Sequence, residues 1–221
     1  MPRQSRKTNN YHYVEDLGVY LPRVTSILNI IAKPPLVNWA AKTAAELAAV
    51  YPDATPEEIV SKVFGVRDSA GSIGTRTHDI IDSNPPNSLD AETVAPDLKG
   101  RIEAYLSFLK TIGFKEIVFS ERLIWSTKYG FAGHADQGLL TESGQKILVD
   151  YKTGSGLYDE VGLQLVAYET ALLEMGIMDR VDQKLAVQLN DNGTNRVQSY
   201  TDSLESFLHA FGLWKWKNKI K

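Results

Sequence analysis

The sequence predicts an α/β domain: a mixed sheet in the order helix, strand, strand, strand, helix, strand, preceded by a helical N-terminal region. Three observations carry that reading. Runs near 116–126, 131–140 and 146–152 alternate apolar and polar residues between short polar breaks, the period of half-buried strands. The stretch from about Leu157 to Met175 is apolar on most sides, as suits a helix laid on a sheet. A second alternating pair, Gln183–Asn190 and Thr194–Tyr200, brackets the turn Asp191-Asn192-Gly193.

In chain order, residues 1–22 read as a flexible lead-in ending at Pro22, with a basic start at Arg3, Arg6 and Lys7. Val24–Ile31 and Leu36–Val50 have helical periodicity and are separated by Pro34-Pro35, which cannot continue a helix. Trp39 shares its spacing with Leu36, Ala40, Thr43 and Leu47 and is assigned to the core. Thr55-Pro56-Glu57-Glu58 is a helix start: a cap, a proline at the first position and a Glu three after the cap. Helix follows to Ser83, with interruptions expected near Gly65, Gly71 and Gly74. Pro85-Pro86 breaks the chain, after which Leu98, Ile102, Tyr105, Leu106 and Leu109 form an amphipathic stripe ending at Gly113. After the meander, the apolar helix and the second hairpin, Asp202 with Glu205 caps a last helix with Leu204, Phe207, Leu208 and Phe211 inward.

Composition narrows the function classes. The 221 residues fit one domain, divided as lead-in (1–22), helical region (23–113) and α/β core (114–217). With 43% apolar and 23% charged residues the chain can bury a core. Zero cysteines exclude a disulfide framework, a thiolate zinc site, a catalytic thiol and a cysteine-held iron–sulfur cluster. No apolar run reaches the ~18 residues of a membrane span, so no membrane partner is expected. The first ten residues lack the hydrophobic segment of a secretory signal; a mitochondrial transit peptide is the weaker reading beside a basic tail. The net charge of −3 does not suit a protein that grips nucleic acid by a basic field alone. Lys215, Lys217, Lys219 and Lys221, interleaved with Trp214 and Trp216, are a solvated helix end first and a nucleic-acid contact second.

Chemistry concentrates in Gly133–Thr153. Side chains alternate along a strand, so Asp150 and Lys152 project on one face and Val149 and Tyr151 on the other. On the preceding strand Asp136 can sit on the Asp150 face. Alone, an Asp–Lys pair two apart is a solvated ion pair worth about 0–1 kcal/mol. Two carboxylates converging with an ammonium are also what a hard divalent cation and a phosphate require. Glu121, in phase with Ile117, Phe119, Leu123 and Trp125, stands on the apolar parity of its strand, where an unpaired charge is costly.

These strings resemble the PD-(D/E)xK nuclease superfamily, in its RecB-like exonuclease branch without the iron–sulfur cluster. The residues that carry the resemblance are Glu121, YGFAGHAD ending at Asp136, DYKT from Asp150 to Thr153, Gln164 with Tyr168 as QxxxY, and upstream Gly74 with His78 as GxxxH. They span about two-thirds of the chain in the family's order. Ala135 stands where the family name has proline, and His134 has no assigned role.

The resemblance implies a restriction-endonuclease-like core and a metal-dependent DNA exonuclease of recombination, repair or phage and genome maintenance. It makes Asp136 and Asp150 metal ligands, with the Tyr151 carbonyl and His78 completing the shell of one or two Mg2+ or Mn2+ ions. Imidazole favours manganese over magnesium. Lys152 becomes the residue that orients water or stabilises developing charge, with Glu121 holding a second ion or a water. Gln164 and Tyr168 contact substrate backbone or orient site residues, with more effect expected on substrate than on metal affinity. The implied partner is DNA, at ends or single-stranded segments, with a helicase or recombination partner as in relatives. The compartment is the cytoplasm of a bacterial or phage-infected cell. No motif bears on oligomeric state. Two competing classes use the same residues: a catalytically silent nuclease-fold protein that binds DNA or serves structurally, and a magnesium-dependent phosphoryl enzyme acting on nucleotides.

Overall fold

The computed structural model describes residues 10–154 and 156–220. Arg3, Arg6, Lys7 and Lys221, the outer members of the two basic stretches, lie outside the described residues.

The chain is α/β, with a five-stranded mixed sheet behind a mainly helical N-terminal region. It begins with a hairpin, β1 (Tyr11–Val14) against β2 (Val19–Pro22), joined by a single 3-10 turn that ends at Gly18 with φ +63°. For residues 11–22 the expectation of a flexible lead-in is therefore corrected; residues 1–9 lie outside the described residues. Val14 is fully buried, Tyr11 packs edge-on against Trp214, and Arg23 bridges to Ala132 on the main sheet, so tertiary contacts hold the segment in place.

Helix α1 (Val24–Leu28) is shorter than its periodicity predicts and buries Val24, Ile27 and Leu28. Helix α2 (Pro34–Val50) starts on its two prolines, whose missing N–H groups are among those a first turn leaves unpaired anyway. It buries no residue. Trp39 is half-buried and outside the core, a correction that follows from α2 packing mainly on one other helix. That helix is α3 (Pro56–Ser83), 28 unbroken residues opened by the expected capping box between Thr55 and Glu58. Gly65, Gly71 and Gly74 do not interrupt it. At Gly74 a Cβ would lie 3.1 Å from Thr153 Oγ1, so this glycine marks the close passage of α3 over the sheet.

Helix α4 (Pro96–Thr111) follows, then β3 (Phe114–Ser126), β4 (Phe131–Thr141), β5 (Lys146–Lys152), α5 (Glu160–Glu174), β6 (Gln183–Leu189), β7 (Asn195–Ser199) and α6 (Leu204–Lys217). The sheet order is β3-β4-β5-β6-β7, antiparallel throughout except for the β5/β6 pair, which the α5 crossover makes parallel. The α6 cap is Ser203, whose hydroxyl accepts the Ser206 N–H, one residue beyond the predicted Asp202.

Two cores sandwich the sheet. On one face α1, α5 and α6 cover Phe119, Ile124, Phe131, Leu148 and Ala186. On the other α4 and Ile81 of α3 cover Leu139, Ile147, Val149, Tyr151, Leu185 and Val187. The alternation predicted for β5 is thus present: Leu148 faces α5, while Ile147, Val149 and Tyr151 face α4. Among the described residues no helix is long and apolar enough to cross a membrane.

Candidate metal centre

The site forms where the sheet parts. Strand β4 pairs with β3 as far as Phe131, but its pairing with β5 runs only from Leu140↔Lys146 to Gln137↔Val149. Beyond that point β5 continues with β6 alone, through Lys152↔Gln188. The two middle strands diverge, and their carboxylates, Asp136 and Asp150, line the opening. Asp136 fills the gap in the ladder: its Oδ2 accepts the Tyr151 backbone N–H at 2.7 Å. The resulting cavity, about 820 Å³, is lined by His78, Asp136, Asp150, Tyr151, Lys152, Gln164 and Tyr168 among others.

Asp150 is 1% exposed. Its Oδ1 accepts from Gln164 Nε2 at 2.6 Å, and its Oδ2 lies 2.6 Å from Lys152 Nζ. Oδ2 has no aligned hydrogen-bond donor and is held only as half of that ion pair. Burial tends to discharge the Lys152 ammonium, but Asp150 and Asp136 outweigh it and raise the pKa. Gln164 and Tyr168 are both buried. Tyr168 lies against Gly133, where a Cβ would come within 2.3 Å of its ring, so the glycine of the GHAD string makes room for the tyrosine. Burial pushes the Tyr168 hydroxyl well above its ordinary pKa.

His78, on α3, stands over the same opening. Its Nδ1 is 2.8 Å from Glu121 Oε1 and 3.8 Å from Asp136 Oδ2, and its Nε2 is 3.2 Å from the Tyr151 carbonyl oxygen. Both ring nitrogens face acceptors, so the ring meets both contacts only as the imidazolium. The electrostatics agree: burial would lower the His78 pKa, but Glu121, Asp136 and Asp150 raise it to about 9. Burial and the neighbouring Asp150 raise Asp136 to about 7.

Glu121 reaches the site by a route the alternation does not predict. The β3/β4 register shifts between Ile117 and Phe119, and Glu121 itself has φ 38°. Ile117 consequently packs on the α4 side, while Phe119 and Ile124 face α5. The inference that Ile117, Phe119, Glu121, Leu123 and Trp125 share one face is corrected: the parity resets twice, and the irregular residue is the acid.

The donor set suits a hard or borderline divalent cation. One ligand atom each from His78, Glu121 and Asp136 lies within 4.8 Å of the others, the Tyr151 carbonyl is adjacent, and Asp150 offers a buried oxygen without an aligned donor. Oxygens with a single imidazole match manganese or magnesium better than a soft ion. Glu121, placed behind the Asp136/Asp150 pair by sequence, is in fact the carboxylate nearest His78.

Sequence reasoning missed two groups here. His12, Arg23 and Thr25, carried by or next to the N-terminal hairpin, line the cavity together with Thr75 and His134. The signal was the alternation of Tyr11 and Tyr13 with Val19 and Leu21 about Gly18. His12 is lowered to about 4 by burial, then by Arg23 and by His134. Beneath the site, Gln137 Oε1 accepts from the Tyr151 hydroxyl at 2.9 Å and from Tyr105 at 3.3 Å, a buried polar link that ties β5 to α4. No family model matches the chain, and no curated protein does.

Proposed function

We propose that this protein is a divalent-metal-dependent nuclease of the PD-(D/E)xK superfamily, in its RecB-like branch, with a restriction-endonuclease-like core that hydrolyses DNA phosphodiester bonds from an end. The observation that carries the reading is the convergence of Asp136, Asp150 and Lys152 with His78 and Glu121 at the one place where β4 and β5 separate. A surface ion pair would need none of the burial, the Gln164 bond or the histidine.

Asp136, Asp150, Glu121, His78 and the Tyr151 carbonyl would hold Mg2+ or Mn2+. Such an ion lowers the pKa of a water and neutralises charge on the phosphate. Lys152, ion-paired to Asp150, places a permanent positive charge beside the reacting group and stabilises negative charge as it develops. Gln164 fixes the Asp150 carboxylate in one orientation, and the Tyr168 ring backs the start of β4 through Gly133. His78, whose two ring nitrogens face Glu121 and the Tyr151 carbonyl, would give up a proton if it became a ligand.

The test is purified protein on linear and circular DNA with Mn2+, Mg2+ or EDTA. Metal-dependent loss of linear DNA is expected. Nicked circles would move the reading to an endonuclease, binding without loss to a silent scaffold. Hydrolysis of free nucleotides with intact DNA would move it to the third class.

A further inference from the structure

Resting on that reading, we propose that Arg23, His12 and His134 form a phosphate-binding subsite of the same cavity, which holds a phosphate of the nucleic-acid strand beside the one being attacked.

Three nitrogen-bearing side chains meet here, and no acid among the described residues pairs with them. The His12 and His134 rings lie 5.4 Å apart between centroids, and both line the cavity with Arg23, Thr25 and Thr75. Arg23 donates its Nε to the Tyr11 carbonyl at 3.3 Å, which holds the fork in place; among the described residues its two terminal nitrogens have no hydrogen-bond partner. The ion pairs of the cavity are His78–Glu121, His78–Asp136 and Lys152–Asp150; among the described residues none includes Arg23, His12 or His134. A planar guanidinium fork with imidazole and hydroxyl donors matches the oxygens of a phosphate.

The subsite is also keyed to the reaction centre. Arg23 bridges to Ala132 of β4, the strand that carries His134 and then Asp136. Two residues of strand separate His134 from Asp136 by roughly 7 Å, a step on the scale of one nucleotide along a backbone. The acidic end of the cavity then takes the cation and the basic end the next phosphate, which explains how a chain of net charge −3 can hold a polyanion. The N-terminal hairpin acquires a purpose: it delivers His12 and Arg23 to the rim.

The experiment measures binding in EDTA, where nothing is cut, by anisotropy of labelled single-stranded oligonucleotides ending in 5′-phosphate, 3′-phosphate or hydroxyls. Arg23→Gln keeps a donor for the Tyr11 carbonyl, and His134→Ala removes an exposed side chain from β4 without touching the hairpin's own backbone bonds, so the two carry different folding risks. Each is expected to weaken binding about tenfold, as loss of a charge-assisted hydrogen bond does. Arg23→Gln should also flatten the log–log salt dependence by about 0.7. Loss confined to a phosphorylated end assigns the subsite to a terminal phosphomonoester, and equal loss on all three assigns it to an internal phosphodiester. Equal affinity and salt slope in wild type and both variants overturns the proposal. Hydrolysis with Mn2+ is read in parallel. Arg23-dependent binding by a protein that cuts nothing keeps the subsite and removes the nuclease reading, and cutting with unaltered binding does the reverse.

Discussion

Gln164 Nε2 stands 2.6 Å from Asp150 Oδ1, so the helix behind the sheet holds one oxygen of the carboxylate and leaves the other to Lys152. The contact orients a carboxylate proposed to hold the metal, so the variant tests metal affinity beside the expected effect on substrate. Gln164→Leu keeps the bulk and removes the donor. Apparent Mn2+ affinity should fall about tenfold, the usual effect of losing a group that orients a ligand. Calorimetric titration of both proteins checks it, and identical affinities would detach Gln164 from the site.

Asp150→Asn and Lys152→Ala address the chemistry directly. Both should fold, judged by circular dichroism, and both should lose DNA hydrolysis by about 100-fold or more. Wild-type turnover in either folded variant would end the assignment.

The site makes the metal-free protein sensitive to alkali. His78 is raised to about 9 and Asp136 to about 7, so each binds its proton more tightly folded than unfolded. Asp136 therefore contributes stability that fades as pH rises from its unfolded value near 4 through about 7. His78 does the same from about 6.5 through about 9. Thermal unfolding in EDTA should show a lower Tm at pH 9 than at pH 6. Saturating Mn2+ should raise Tm most at pH 9, because ligation needs both groups deprotonated. A Tm in EDTA that is flat or rises over that range would contradict the site's electrostatics.

Gly133 and Gly212 make opposite predictions. A Cβ at Gly133 would meet the buried Tyr168 ring at 2.3 Å, so Gly133→Ala should destabilise by about 1–3 kcal/mol in a urea titration. Gly212 lies in helix α6 with nothing within 4 Å of a built Cβ. There alanine should stabilise by about 0.5–1 kcal/mol.

Local signals made most of the fold legible. The Thr55–Glu58 capping box, the period-two runs of the meander and the Asp191-Asn192-Gly193 turn all depend on residues a few positions apart. Features that depend on distant partners were not legible. The hairpin at Tyr11–Pro22 is held by Trp214 and Ala132, far along the chain. The glycines of α3 look like breaks until Gly74 is seen to pass against Thr153. Trp39 has core spacing, but α2 has little besides α3 to pack on. In the site, Asp150 and Lys152 were readable because β5 alternates regularly, with Leu148 facing α5 and Val149 and Tyr151 facing α4. The Glu121–His78 contact was not, because it crosses 43 residues and a twice-broken parity.

The bond from the Tyr151 N–H to Asp136 has a bearing on folding as well as chemistry. A slip of β5 by one residue would swing Val149 and Tyr151 into the opening and send Asp150 into the apolar layer under α4. It would also present the Asp136 carboxylate with the wrong amide. The acid thus works as a key cut for one alignment of the hairpin, and a molecule that zips up out of step forfeits the proposed metal centre in the same stroke.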